Sequence, residues 1–375
     1  MAEPTAVGST AEHDRLPSLD GLRGLAAVVV LLHHALLVQP ALSAPYYGQD
    51  VAPSVTWFVA TPLHLVWAGG EAVLVFFVLS GFVLARQQTG PRRLRWTRYY
   101  PSRLVRLYLP VVVAVLLAAV LASVVPRADL AGRQSEWMHD HRATVTLASV
   151  MRNVTLLSPD FLNSPLWSLR QEVVFSLLLP VALVAVLLVR RTWVVGVALA
   201  VVVSAVGSTV GNVWIASLPV FLIGCLLAGA HDHRRFRLAG VRGPALAILG
   251  ALLVTSRWWS GPIADRLPVL VSIAVLVGAS LIVVVAVGWA SARRVLERRA
   301  FQWLGRVSFS LYLVHEPIVV LVGTVVPERS AWVVPVVAVP VALAVAALFF
   351  RLVEAPSHRL AKRLQRRRVR ADSPV

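Results

Sequence analysis

Apolar runs of roughly 18 or more residues recur along almost the whole chain. As helices rising 1.5 Å per residue, such runs are long enough to cross the hydrocarbon core of a bilayer. Barrel strands are shorter and alternate between apolar and polar positions, and these runs do neither. Spans near 22–38, 66–86, 104–126, 168–189, 192–210, 213–230, 244–258, 267–290, 307–325 and 331–353 predict about ten transmembrane helices in an all-α polytopic membrane protein. Composition agrees: 14% of residues are charged, against about 25% in soluble domains.

The formal net charge of +18 would suggest nucleic acid if it formed a patch on a soluble domain. Its distribution along the chain excludes that reading. With the N-terminus placed inside, 28 of the 36 lysines and arginines fall in inner segments and 8 in outer ones. This is the positive-inside bias, and it supports an even number of spans with both termini cytoplasmic. The charge is therefore a topology signal and an attraction to anionic lipid. The polar N-terminus lacks a basic stretch before its first apolar run and reads as a retained tail. The expected organisation is a cytoplasmic tail at 1–18, a single helical domain at 19–356 and a basic cytoplasmic tail at 357–375. That basic tail is expected to form a helix on the inner leaflet. Lys362 is the only lysine, a composition suited to a GC-rich bacterial genome and a plasma-membrane location.

The single cysteine, Cys225, is a packing residue in an apolar run, and no zinc spacing is present. The longest extramembrane stretch, about 126–165, carries His139, Asp140 and His141. With no further Cys or His ligand close in sequence, it reads as a solvated loop, and no metal is expected. There is no internal repeat of the kind common in secondary transporters.

Ionisable residues at membrane depth are costly and mark functional candidates. In the first span Arg23 and His34 are eleven positions apart, which leaves them about 20° apart around a helix and about 16 Å apart along it. Asp20 joins the same stripe. His33 points about 100° away and reads as a supporting residue. Arg23 alone fits a snorkelling side chain. A histidine three turns deeper suits general-base or nucleophilic work. In the second span Glu71 lies near the outer end, and Ser80-Gly81 reads as a close-packing pair. The following stretch carries seven arginines between residues 86 and 106. Guanidinium binds phosphate in bidentate fashion, so they suit a polyphosphate ligand as well as topology. At the fourth span Asn163 or Ser164 is expected to cap the helix, with Glu172 about one turn further in, at a depth similar to His34. In the ninth span His315 precedes Glu316 and Pro317, and the proline is expected to open the backbone beside a cavity.

Taken in order, "LDGLRGLAAVVVLLHH", "FFVLSGFVLARQ", "RLVRLYLP", "PLWSLRQEVVFSLLLP", "GRVSFSLYLVHEPIV" and "RLVEAPSHRL" resemble the membrane-bound acyltransferase 3 family, the O-acetylase-like proteins. The resemblance implies a ten-helix core and transfer of an acyl group, with acetyl from acetyl-CoA as the default, to a hydroxyl. The family's Arg-x10-His motif falls on Arg23 and His34. Its arginine segment falls on Arg98, Arg103 and Arg106, its Trp-Ser-Leu glutamate on Glu172, and its late histidine on His315. The chain departs from the family pattern at Pro101-Ser102, where many members have another arginine, and at "GGEAVLV", where Glu71 replaces an aspartate. Many relatives also carry a soluble hydrolase-like domain; this chain is expected to act without one or with a separate partner.

The expected chemistry is O-acyl transfer from acyl-CoA to a carbohydrate, glycolipid or natural-product hydroxyl. Arg98, Arg103 and Arg106 would hold the donor phosphates. His34 would act as base or nucleophile, oriented by Glu172 or Glu71. Arg23 and His315 would line the path or stabilise charge on the thioester oxygen. The rival from another class is a proton-coupled transporter or exporter, with the buried His and Glu as its relay.

Overall fold

In the computed structural model the apolar runs are helices, and the structure describes residues 16–89, 96–125, 127, 135–142, 144–230 and 237–371. The principal helices are α1 (Pro17–Leu37), α2 (Gly69–Thr89), α3 (Trp96–Val124), α4 (Leu166–Leu188), α5 (Trp193–Thr209), α6 (Val213–Ala230), α7 (Arg242–Val254), α8 (Pro268–Gly288), α9 (Arg299–Val325) and α10 (Val333–Phe349). Among the described residues nine helices are long and apolar enough to cross a membrane, and no β-strand occurs. The seventh expected span is the short one. α7 has 13 residues and reaches about 20 Å, less than the roughly 30 Å of a bilayer core. A short helix, Ser256–Trp259, continues from its end with two tryptophans suited to the membrane interface.

α10 does not stop where its apolar run ends. A π-helical turn, Phe350–Glu354, carries it into α11 (Ala355–Ala371), which packs along α3. The basic tail is thus helical as expected, but its first turns are docked on the bundle.

α1 is the central element. Its Leu22, Ala26 and Val30 join a core built mainly from α2, α6 and α8, while Leu31 and Ala35 join another built from α3, α9 and α10. Side chains such as Val181, Leu188, Val195, Leu199 and Val336 are exposed on the outside of the bundle, as lipid-facing positions must be. α1 and α9 cross closely at Gly24 and Gly305. A Cβ on Gly24 would collide with the backbone of Gly305, so two glycines set the approach of the helices that carry His34 and His315.

The expected backbone opening at Pro317 does not occur. Proline has no N–H, so the carbonyl of Leu313, four residues earlier, loses its helical partner. Asn163 Nδ2 donates to that carbonyl at 2.9 Å, and α9 runs on to Val325. Asn163 and Ser164 accordingly do not cap α4. Its N-cap is Pro165, with no side-chain cap.

The stretch preceding α4 is also not simply a solvated loop. Ser135 caps the short helix Glu136–Asp140 by accepting from Met138 N, and its Oγ donates to Leu37 O at the end of α1, 2.7 Å away. Trp137, Met138 and His141 are buried by this docking.

Candidate active site

Two polar regions lie in sequence along the α1–α9 seam. The first is a cavity of about 790 Å³ at the end of the bundle that carries the first turn of α1 and the first turns of α11. Its walls include Asp20 and Arg23 of α1, Ser80 and Arg86 of α2, Arg103 and Arg106 of α3, Glu172 of α4, Arg306 of α9, and Glu354 and His358 near the chain's last helix. Five arginines against the carboxylates of Asp20, Glu172 and Glu354 leave the space net cationic.

Those arginines are not equally free. Arg103 donates to Glu172 Oε1 at 2.6 Å and to Ser176 Oγ at 3.1 Å. Arg106 donates to His358 Nε2 at 3.0 Å, and Glu354 accepts from the backbone and side chain of Ser310. Arg23 and Arg306 make no hydrogen bond or ion pair to another described residue. The side chain of Arg98, on α3, lies outside the described residues. Glu172 therefore stands with the arginines, not beside His34.

The second region is deeper, toward the far end of α1. His34 Nδ1 lies 3.0 Å from His315 Nε2 and 3.1 Å from its own i−4 carbonyl, Val30 O. His315 Nδ1 faces Leu311 O at 3.0 Å. Carbonyl oxygens only accept, so the His315 proton sits on Nδ1 and leaves Nε2 as an acceptor. His34 then carries its proton on Nδ1, and its Nε2 lone pair is free.

That nitrogen lies 3.7 Å from Glu316 Oε2, beyond hydrogen-bond distance. Glu316 is fully buried, and its oxygens are satisfied from three directions. Ser164 N and Oγ donate at 2.7 and 2.6 Å, and His141 Nε2 lies 3.2 Å away. His141 Nδ1 is 2.7 Å from Trp137 O. His141 thus stands between the Trp137 carbonyl and the Glu316 carboxylate.

The helix geometry thus separates the two histidines as the spacing predicts. His33 turns away, hydrogen-bonds Trp67 O at 3.1 Å and stacks on the Trp67 ring. Glu71 is buried and accepts from Trp258 Nε1 at 2.8 Å, away from His34. Ser80 lines the cavity, while Gly81 packs against the backbone of Phe221. Sequence reasoning missed Glu316 as the neighbour of His34, His141 as the partner of Glu316, and Arg306 as a cavity arginine.

A family model described as an acyltransferase domain matches residues 16–351, nearly all of the helical bundle, including His34, His315, Glu316 and the five cavity arginines. The chain belongs to the acyltransferase 3 family. Within that family it is 28% identical over 325 residues to the acyltransferase MdmB of Streptomyces mycarofaciens, covering 80% of this chain and 78% of that protein. No solved structure matches the chain. As an acyltransferase 3 protein it is an integral membrane acyltransferase with an all-α bundle, and the chemistry required of its site is delivery of an activated acyl group to an acceptor.

Proposed function

We propose that this acyltransferase moves an acyl group, acetyl by default, from acyl-CoA on the cytoplasmic side to a hydroxyl of a carbohydrate, glycolipid or natural product. The observation that carries this reading is the alignment of the arginine-lined cavity with the His34–His315 pair on one helix seam. A nucleotide thioester is polyanionic at one end and reactive at the other, and the two regions match those ends. The inner-segment excess of basic residues supports the cytoplasmic orientation of the arginine-rich end.

The donor phosphates sit on Arg23, Arg103, Arg106 and Arg306. His315 orients His34 through Nδ1, as the third member of a triad does, and leaves Nε2 as the base. The acceptor hydroxyl gives its proton to His34 Nε2, its oxygen attacks the thioester carbonyl, and the CoA sulfur leaves with that proton. The transient imidazolium is stabilised by the Glu316 carboxylate beside it. Glu172 takes the role of fixing Arg103 in the donor region. The products are an O-acyl ester and free CoA.

The test is incubation of the purified protein in lipid nanodiscs with labelled acetyl-CoA and a panel of sugars, glycolipids and hydroxylated natural products. The reading expects alkali-labile label in an acceptor with stoichiometric release of CoA. Absence of CoA binding, or transport of acceptor without CoA release, would overturn it.

A further inference from the structure

The donor cavity stops short of His34. At its inner end stand Ser168 of α4 and Tyr312 of α9, and neither His34, His315 nor Glu316 belongs to its walls. The two hydroxyls are 2.5 Å apart. Ser168 Oγ is also 3.0 Å from Pro165 O, and Tyr312 Oη is 3.2 Å from the same carbonyl. Two protons therefore serve one carbonyl and one hydroxyl–hydroxyl bond, and both donors are used. The Tyr312 ring lies edge-on to Phe76 and 5.8 Å from the His315 ring, centroid to centroid. Tyr312 thus lines the cavity on one side and neighbours the histidine pair on the other.

We propose that Tyr312, held by Ser168, is the specificity-determining end wall of the donor cavity, admitting a thioester with a short acyl group and rejecting longer ones. The proposal rests on the acyl-CoA reading of that cavity. A thioester oxygen entering here accepts the Tyr312 O–H in place of Pro165 O, so the hydroxyl exchanges one partner for another. A longer alkyl chain has nothing to exchange. It must occupy the space of the ring and pull the Tyr312 hydroxyl away from both Ser168 and Pro165 O, a costly state. Val73, Phe76 and Leu169 around the same end give a small acyl group an apolar lining.

The test is equilibrium binding of CoA, acetyl-CoA, butyryl-CoA and hexanoyl-CoA to the full chain in nanodiscs, for wild type, Tyr312→Phe and Tyr312→Ala. Wild type is expected to bind acetyl-CoA at least tenfold more tightly than hexanoyl-CoA. Tyr312→Ala should reduce that ratio to threefold or less by improving hexanoyl-CoA, with CoA affinity moving less than twofold. Tyr312→Phe, which keeps the ring, should retain the rejection of hexanoyl-CoA and lose several-fold of the preference for acetyl-CoA over CoA. If Tyr312→Ala does not yield monodisperse protein, Tyr312→Leu takes its place. An unchanged ratio in the variants, or an equal loss for all four ligands, would make the Ser168–Tyr312 pair an interhelical tie and overturn the proposal. Wild-type protein that binds neither CoA nor acyl-CoA would remove the donor reading and this inference together.

Discussion

Glu316, not Glu172, is the carboxylate that faces His34: Glu316 Oε2 stands 3.7 Å from His34 Nε2, while Glu172 is hydrogen-bonded to Arg103 at 2.6 Å. The two glutamates therefore answer differently to removal of their charge. Glu316→Gln keeps shape and loses the stabilisation of an imidazolium at His34. Its kcat should fall on the order of a hundredfold, within the range for electrostatic and acid–base support, with donor KM little changed. Glu172→Gln should instead act mainly through donor KM. Steady-state kinetics on the two variants separates these outcomes.

His315 is argued to orient His34 through a single acceptor nitrogen. A glutamine carries an oxygen that accepts from the same proton, and an alanine does not. His315→Gln should retain several-fold more activity than His315→Ala, at equal donor affinity. Equal activity in both variants would show that the hydrogen bond to His34 Nδ1 does not matter.

The cavity arginines should rank by their freedom. Arg23 has no described hydrogen-bond partner, and a phosphate contact to it contributes about 1.5–3 kcal/mol, or roughly 10- to 150-fold in affinity. Arg23→Ala should therefore weaken CoA binding by at least tenfold. Arg103→Ala also strands the Glu172 carboxylate at the cavity wall, which repels the phosphates. The double variant Arg103→Ala/Glu172→Ala should bind CoA more tightly than Arg103→Ala alone. Calorimetric titration of CoA into the four proteins checks both statements.

Asp160 ties the short helix Leu147–Thr155 to the turn that follows it. Burial acts to raise its carboxyl, but hydrogen bonds from Arg152, Asn153, Leu162 N and Ser149 prevail and hold it below its ordinary value of 3.8. A depressed carboxylate stabilises the fold above its unfolded value, and that contribution is lost as pH falls through the folded value. Asp160→Asn should cost about 1–3 kcal/mol at neutral pH. The difference from wild type should be constant down to about pH 5 and shrink below pH 4. Thermal unfolding in detergent across that pH range measures it.

Much of the bundle was legible because lipid imposes one rule on every span, and apolar length reports it directly. The Arg23–His34 stripe was legible because both residues share one helix, where 3.6-residue geometry fixes the angle between them. Arg103 and Arg106 were legible as cavity residues through their charge. Glu316 as the neighbour of His34, and His141 as the partner of Glu316, were not. His141 comes from a segment 175 positions before Glu316 with no periodicity of its own, and its burial depends on Ser135 docking to the end of α1. Glu316 was overshadowed by His315 beside it, although an acidic residue at membrane depth before a proline was itself a signal. Asn163 was misread because a side chain that can cap its own helix can equally serve a carbonyl freed by proline in another.

In the proposed reaction His34 Nε2 is the base of an acyl transfer supported by Glu316. Its most direct test is the rate of labelled acetyl transfer from acetyl-CoA to the acceptor by purified wild type, His34→Ala, His33→Ala and Glu316→Gln. Loss of at least a thousandfold is expected in His34→Ala with CoA affinity preserved, with a clear loss in Glu316→Gln and near-normal transfer in His33→Ala. Normal transfer by His34→Ala, with His33→Ala inactive, would contradict it.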